Sequence, residues 1–202
     1  DDESVMQTVE ALPHIVHSVR SVWPTLGYRL GPSSIAARRN PYGAAPADNP
    51  RAERIALAAV DPRHRARFGA AWTVGYAAAV APSGLEMLAL HDSHGASGPF
   101  AAAAGWPAHD DSAPVPAWSV LATLARAAGA RWVPIENLPA DVAGMAWSPD
   151  GVTIEGLVAN LSTAPCRLRW AEAVRVDGQE ACTEVTLAAL QTINFVLART
   201  PG

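Results

Sequence analysis

Two segments of the 202-residue sequence decide how it folds: Gly31-Pro-Ser-Ser-Ile-Ala-Ala-Arg-Arg-Asn-Pro-Tyr-Gly43 and His91-Asp-Ser-His-Gly-Ala-Ser-Gly-Pro-Phe100. Each follows a short apolar run that is typical of a strand, and each precedes a helical pattern. Polar side chains crowded where a strand passes into a loop before a helix are typical of α/β enzymes, whose sites lie at the carboxyl ends of the strands. The two segments therefore predict an α/β fold with a site at the strand ends.

Composition excludes several classes of function. The net charge of −4 provides no basic field for nucleic acid or for a membrane surface. All 15 basic residues are arginine, so a Schiff-base lysine and a P-loop lysine are excluded from this chain. The two cysteines form no Cys-x-x-Cys motif, which argues against a thiolate zinc site and favours free thiols in the cytoplasm. No apolar run approaches the ~18 residues of a membrane span.

The first part of the chain alternates between helical and strand patterns. Apolar spacing predicts a helix over Ser4–Trp23, with a capping box of Ser4 and Gln7 and a kink at Pro13. The remaining predictions are strands at Gly27–Leu30 and Leu85–Leu90, and helices at Arg51–Val60, from Asp61-Pro62 onward, and at Val115–Ala128. Such βα alternation is typical of a parallel sheet.

The pattern changes after Gly129. Short strands separated by turn signals are predicted at Trp132–Ile135, Val142–Trp147, Val152–Leu161, Cys166–Trp170, Ala173–Val176, Glu184–Leu190 and Thr192–Leu197. This spacing favours an antiparallel β-sandwich, with Val152, Ile154, Leu157 and Val158 in its core. We therefore predict two domains, an α/β portion at 1–130 and a β domain at 131–202.

Four runs of sequence resemble the D-apionate lactonase family. They are Asp1-Asp-Glu-Ser-Val-Met6, Tyr28-Arg-Leu-Gly-Pro-Ser-Ser-Ile-Ala-Ala-Arg-Arg-Asn-Pro-Tyr-Gly43, Asp61-Pro-Arg-His-Arg-Ala-Arg-Phe-Gly-Ala-Ala-Trp-Thr-Val-Gly-Tyr76 and Ser97-Gly-Pro-Phe100. The resemblance implies the carboxyl-terminal part of a glycoside-hydrolase-like (β/α)8 TIM barrel followed by a β-sandwich. It also implies hydrolysis of the lactone of a branched sugar acid, D-apionolactone to D-apionate, with no cofactor.

Under this resemblance, Gly27–Ile35 is barrel strand seven, Leu85–His91 is strand eight, and Asp1 and Asp2 follow strand six. These strand ends share one face of the barrel, so we expect their polar residues to form the site. The predicted catalytic residues are Asp2, His91 and Asp92, because histidine and carboxylate groups suit general base work. Hydroxyl, amide, guanidinium and ring groups predicted to contact the substrate belong to Asp1, Ser33, Ser34, Arg39, Asn40, His94 and Ser97.

Several sequence signals argue against a zinc site or a serine nucleophile. His91-Asp-Ser-His94 has no zinc-ligand spacing, and Ser33 and Ser34 lie outside a Gly-x-Ser-x-Gly nucleophile elbow. The cluster Arg63, His64, Arg65 and Arg67 is interpreted as a solvated helix face. Trp23, Trp72 and Trp118 are interpreted as core residues, and Trp106 as a possible sugar platform.

Three functions remain open. The first is a lactonase in which His or Asp activates water, while Ser, Asn or Arg donors stabilise the oxyanion. The second is a TIM-barrel glycoside hydrolase with its acids in a missing half, although strand seven here ends in Gly-Pro-Ser-Ser without an acid. The third is a carbohydrate-binding or structural module without catalysis.

Two strands are far fewer than a barrel needs. We therefore expect the chain to be a fragment of a larger domain that is inactive alone. We also expect it to associate with itself or with its missing N-terminal half.

Overall fold

The computed structural model describes residues 1–35, 50–51, 61–91 and 115–198. The α-helices are α1 (Asp2–Val22), α2 (Arg67–Val80) and α3 (Pro116–Arg126), and short 3-10 helices span Pro62–Arg65 and Ala81–Ser83. The strands are β1 (Arg29–Ser33), β2 (Met87–Leu90), β3 (Arg131–Val133), β4 (Val142–Ser148), β5 (Thr153–Asn160), β6 (Cys166–Val176), β7 (Ala181–Leu187) and β8 (Thr192–Ala198). The predicted helix at Arg51–Val60 lies, apart from Arg51, outside the described residues.

Helix α1 begins earlier than its apolar pattern predicted. Asp1 is the N-cap, and its carboxylate accepts a hydrogen bond of 2.8 Å from the Ser4 amide. The predicted capping box of Ser4 and Gln7 is therefore wrong, because Asp1 caps equally well three residues upstream. Trp23 was expected in the core but is 54% exposed, since it lies beyond the last helical turn.

Strands β1 and β2 form a parallel pair, as the βα alternation predicted. The pair aligns Leu30 with Leu88 and Ser33 with Leu90, with an irregularity between Leu30 and Ser33. The sequence pattern predicted this strand at Gly27–Leu30 and the family resemblance at Gly27–Ile35, whereas the strand spans Arg29–Ser33 and continues through Gly31-Pro32. Gly31 has φ +130° and lies so close to β2 that a Cβ would meet the Ala89 carbonyl oxygen at 2.5 Å. The carboxyl ends of both strands consequently lie at the same edge of the sheet.

Helix α2 is the centre of the molecule. Every residue from Phe68 to Ala77 is buried, because α1 and β1–β2 cover one side and α3, β4 and β5 cover the other. Small residues allow this close packing. A Cβ on Gly69 would meet the His64 carbonyl oxygen at 2.6 Å, so the 3-10 turn before α2 can fold against the helix only over glycine.

The second part of the chain forms an antiparallel sheet of six strands among the described residues, ordered β3-β4-β5-β8-β6-β7. The antiparallel pairing confirms the predicted strand pattern, although β6 is one strand where two were predicted. These strands form one connected sheet, so a β-sandwich is not confirmed. Leu157 packs toward α2 and α3 while Val158 and Ile154 pack in the sheet's other core. Val152 was expected in the core but is 41% exposed in the turn before β5.

Asn160 closes the corner where β5 ends. Its amide nitrogen donates to the carbonyls of Ala164 (2.7 Å) and Ala188 (3.0 Å). Its side-chain oxygen accepts from both the amide (3.0 Å) and the hydroxyl (2.9 Å) of Ser162. Because Asn160 is fully buried, these bonds replace water for backbone groups on two separate turns.

We expect Asn160→Ala to lower the free energy of unfolding by about 3 kcal/mol, because it leaves several buried polar groups without hydrogen-bond partners. Urea denaturation followed by circular dichroism measures the change. Ser162→Ala is the matched control and should cost less than about 1 kcal/mol, because it removes one hydroxyl at a more exposed position. Equal losses in the two variants would contradict this role for Asn160.

Candidate active site

A cluster of polar side chains lies where four chain segments meet: the ends of β1 and β2, the start of α1 and the 3-10 helix Pro62–Arg65. In a TIM barrel, strand carboxyl ends and the starts of the following helices form the active-site face. The predicted convergence of β1 and β2 is therefore present. Its groups divide into a buried, neutral part and an exposed, charged rim.

The buried part is centred on two histidines. His64 is 2% exposed and His91 is 8% exposed, and their Nδ1 atoms are 3.0 Å apart. The amide of Ile35 donates a hydrogen bond of 3.0 Å to Nε2 of His64. An amide N–H can only donate, so Nε2 of His64 carries no proton and its Nδ1 carries one. That proton points to Nδ1 of His91, which must therefore be an acceptor.

The hydrogen bond at the second ring nitrogen of His91 is donated in the same sense along the series. Its Nε2 lies 2.8 Å from Oγ1 of Thr73, a residue of α2 with no exposed surface. The Thr73 hydroxyl donates its proton to the Gly69 carbonyl over 2.6 Å. Oγ1 is then free to accept from Nε2–H of His91. We name this series of hydrogen bonds, from Ile35 through His64, His91 and Thr73 to Gly69, the buried relay.

Burial also determines the charge of His91. Loss of water, and to a smaller extent the neighbouring His64, together lower its pKa from 6.5 to about 4. His91 has φ 62°, and its amide donates to the Ser33 carbonyl over 2.9 Å. The chain thus turns sharply at the end of β2, and the ring lies against His64 and Thr73. Both ring nitrogens are bonded within the chain, which favours a positioning role over a general base, although the catalytic role stays a prediction.

The two serines after Gly31-Pro32 differ in their partners. The hydroxyl of Ser33 lies 2.7 Å from the Tyr76 hydroxyl, so this side chain faces α2. The hydroxyl of Ser34 is buried and has no hydrogen-bond partner within the described part of the chain. Of the two serines predicted to contact the substrate, Ser34 is therefore the one whose hydroxyl is available for a hydrogen bond to it.

The rim carries the charges. The Arg63 guanidinium binds Oδ1 of Asp2 at 2.9 Å and Oδ2 of Asp61 at 2.6 Å, and it lies over the Phe68 ring. The hydrogen bond from Arg63 holds the pKa of Asp61 below its usual value, and the two carboxylates raise the pKa of Arg63. The Asp2 side chain is 65% exposed, and Asp1 serves as the helix cap described above.

Five of the predicted site residues lie on the segments that meet at this face: Asp1, Asp2, Ser33, Ser34 and His91. The other predicted site residues, Arg39, Asn40, Asp92, His94 and Ser97, lie outside the described residues, as do Arg38 and Trp106. Among residues 1–35, 50–51, 61–91 and 115–198, no group of His, Cys, Asp and Glu side chains could hold a metal ion. In the same ranges, no helix is long and apolar enough to cross a membrane.

Sequence analysis missed two members of the site. Arg63 and His64 were interpreted as a solvated face, but Arg63 joins α1 to the 3-10 helix and His64 is buried. A signal was present: His64, Phe68, Trp72 and Tyr76 recur every four residues, and all are buried. The three arginines around His64 concealed this spacing.

We expect acid to destabilise the chain partly through His91. The native pKa is about 4 and the ordinary value is 6.5, so between these values the unfolded chain binds more protons. Stability is therefore lost as pH falls from 6.5 to 4, by at most about 3 kcal/mol from this group.

Urea denaturation at a series of pH values tests this expectation. His91→Asn should flatten the decline over that range, since asparagine does not titrate and tolerates positive φ. His14→Asn, on the exposed face of α1, should retain the full decline. A His91→Asn variant with the wild-type decline would show that another group is responsible.

Comparison with known proteins identifies the family of this chain. The family model described as "D-apionate lactonase, TIM barrel domain" matches residues 1–129. A D-apionate lactonase from Brucella anthropi is 41% identical over 138 residues, which are 65% of this chain and 21% of that relative's length. The chain thus spans about a fifth of the curated relative, and all five described site residues fall inside the family match. The chain belongs to the D-apionate lactonase family.

Proposed function

We propose that this chain supplies part of the active site of a hydrolase that opens the lactone of a branched sugar acid, converting D-apionolactone to D-apionate. The observation that carries the proposal is the polar cluster at the ends of β1 and β2, within the region that matches the family model. The name of the Brucella anthropi relative supports the same reaction and the same substrate.

In the proposed reaction, water adds to the lactone carbonyl carbon while a general base removes one of its protons. The carbonyl oxygen becomes an oxyanion, and its collapse breaks the ring C–O bond. The proton held by the base then passes to the ring oxygen, which becomes a hydroxyl group of the opened product, and the new carboxylic acid loses its remaining proton to solvent to give the carboxylate. This sequence needs one base and at least one hydrogen-bond donor at the oxyanion.

We assign the base to a carboxylate, either Asp2 or Asp92, rather than to His91. Arg63 holds Oδ1 of Asp2, and no hydrogen bond within the described residues occupies Oδ2. One oxygen is therefore fixed in place while the other faces solvent. His91, in contrast, would have to break a bond in the buried relay before it could accept a proton from water.

We assign the oxyanion donors to the segment after β1. The Ser34 hydroxyl has no hydrogen-bond partner among the described residues and can donate to a substrate oxygen. Arg39 and Asn40 follow five and six residues later and carry the charged and amide donors that such an oxygen favours. His94, Ser97 and Asp1 are proposed to bind the sugar hydroxyls.

We further propose that the domains divide at 130/131 and that the sheet of residues 131–202 packs as a β-sandwich. The core on the side of β5 that faces away from the helices is built from side chains of β4 to β8, and it supports the second point. The free Cys166 and Cys182 support a reducing compartment such as the cytoplasm. No resident cofactor is proposed, and the partner is the small lactone itself.

The protein that contains this chain should hydrolyse D-apionolactone and leave aryl glycosides intact, as followed by acid release in a pH-stat. We expect Asp2→Asn to lower kcat by roughly 10²-fold if Asp2 is the base. Glu136→Gln, which removes an exposed carboxylate after β3, should leave the rate unchanged. A full rate in Asp2→Asn would assign the base to Asp92.

The two other functions give different results in the same assay. Hydrolysis of aryl glycosides without lactone opening would identify a glycosidase. Binding of sugars without turnover of either substrate would identify a carbohydrate-binding module.

A further inference from the structure

We propose that His64, His91 and Thr73 are positioning residues, and that the buried relay locks the ends of β1 and β2 together so that Ser34 is held in a fixed arrangement for the substrate. The effect on catalysis rests on the proposed lactonase function. The relay itself does not, because its hydrogen bonds can be measured without turnover.

The two ends of the relay give it a single direction. The Ile35 amide can only donate a hydrogen bond and the Gly69 carbonyl can only accept one. Each group between them therefore accepts from the Ile35 side and donates toward the Gly69 side. His64 is then the tautomer protonated at Nδ1, and His91 is the tautomer protonated at Nε2. Reversing either ring would set two N–H groups, or two lone pairs, against each other across 3.0 Å or less.

The relay contacts the ends of both β1 and β2. At the end of β1, Ser34 lies between two anchored neighbours, because Ile35 donates to His64 and Ser33 binds Tyr76. At the end of β2, the His91 ring is held from two sides, and its amide bonds back to Ser33. Asp92 follows directly in the chain.

This arrangement has the properties of a positioning device. His64, His91, Thr73 and Gly69 are buried, so water does not compete for the hydrogen bonds between them. Trp72 stands edge-on to the His91 ring at 6.1 Å between centroids, which limits ring movement. Small displacements of reacting groups are costly in catalysis, and about 1 Å can cost 10²-fold. Loosening the relay should therefore slow turnover without removing any group that touches substrate.

The first experiment measures the tautomers. The chain is labelled with 15N at histidine, and two-bond 1H–15N spectra are recorded near pH 7.5, with assignment by single His→Asn variants. We expect the Nδ1–H tautomer for His64 and the Nε2–H tautomer for His91. A cationic ring at either position, or an Nδ1–H signal from His91, would overturn the relay.

The second experiment measures catalysis in matched variants. Thr73→Val keeps the shape of the side chain but removes the acceptor for His91, and we expect kcat for lactone hydrolysis to fall about tenfold with KM changed less than twofold. Thr73→Ser restores the hydroxyl and should restore both kcat and the His91 tautomer signal. Wild-type kinetics in a folded Thr73→Val variant would overturn the positioning role.

A second variant covers the case in which Thr73→Val does not fold. Tyr76→Phe removes only the hydroxyl that binds Ser33, and we expect a smaller fall in kcat with unchanged tautomers of His64 and His91. An unchanged kcat in Tyr76→Phe would contradict the anchoring of the β1 end. If the wild-type protein opens no lactone, the proposed function and the catalytic role fail together, while the tautomer spectra still decide whether the relay exists.

Discussion

The burial of α2 on all its sides constrains the rest of the structure. Helix α2 contacts α1, α3, both strands of the parallel pair and the antiparallel sheet, so polar groups on its buried middle turns are shielded from water. Thr73 therefore has to find its partners inside the chain, and they are Gly69 and His91. Two imidazole rings joined by a hydrogen bond, one of which also accepts from the Ile35 amide, share this place as neutral rings with defined tautomers.

The same constraint separates neutral groups from charged ones across the site. Arg63 and His64 are neighbours in sequence, yet Arg63 points to the rim and joins two carboxylates, while His64 points inward and joins another imidazole. The 3-10 helix makes this division possible, because successive residues in it face different directions. Its own geometry depends on Asp61, whose side chain caps it, and on Gly69, which leaves room for its carbonyl groups.

Sequence patterns predicted the elements better than the partners of individual side chains. The parallel pair, the start of a helix at Asp61-Pro62 and the antiparallel strands after Gly129 all followed from periodicity and turn residues. Periodicity did not show that β1 continues through Gly31-Pro32, because that extension depends on pairing with β2. His64 was assigned to the surface because arginines surround it, while its burial depends on His91, which lies 27 residues away. For the candidate site, sequence identified the strand ends but not which side of the strands each side chain would face.

The antiparallel sheet is coupled to the site through β5 and α2. Adjacent residues of β5 face opposite cores, with Leu157 against α2 and α3 and Val158 against the far side of the sheet. Gly75 of α2 packs closely against the Leu161 side chain, just beyond the end of β5. A shift of the sheet would therefore move α2, and with it Thr73 and the buried relay. The antiparallel sheet therefore helps to hold the ends of β1 and β2 in place, because it positions α2 and α2 in turn positions His91.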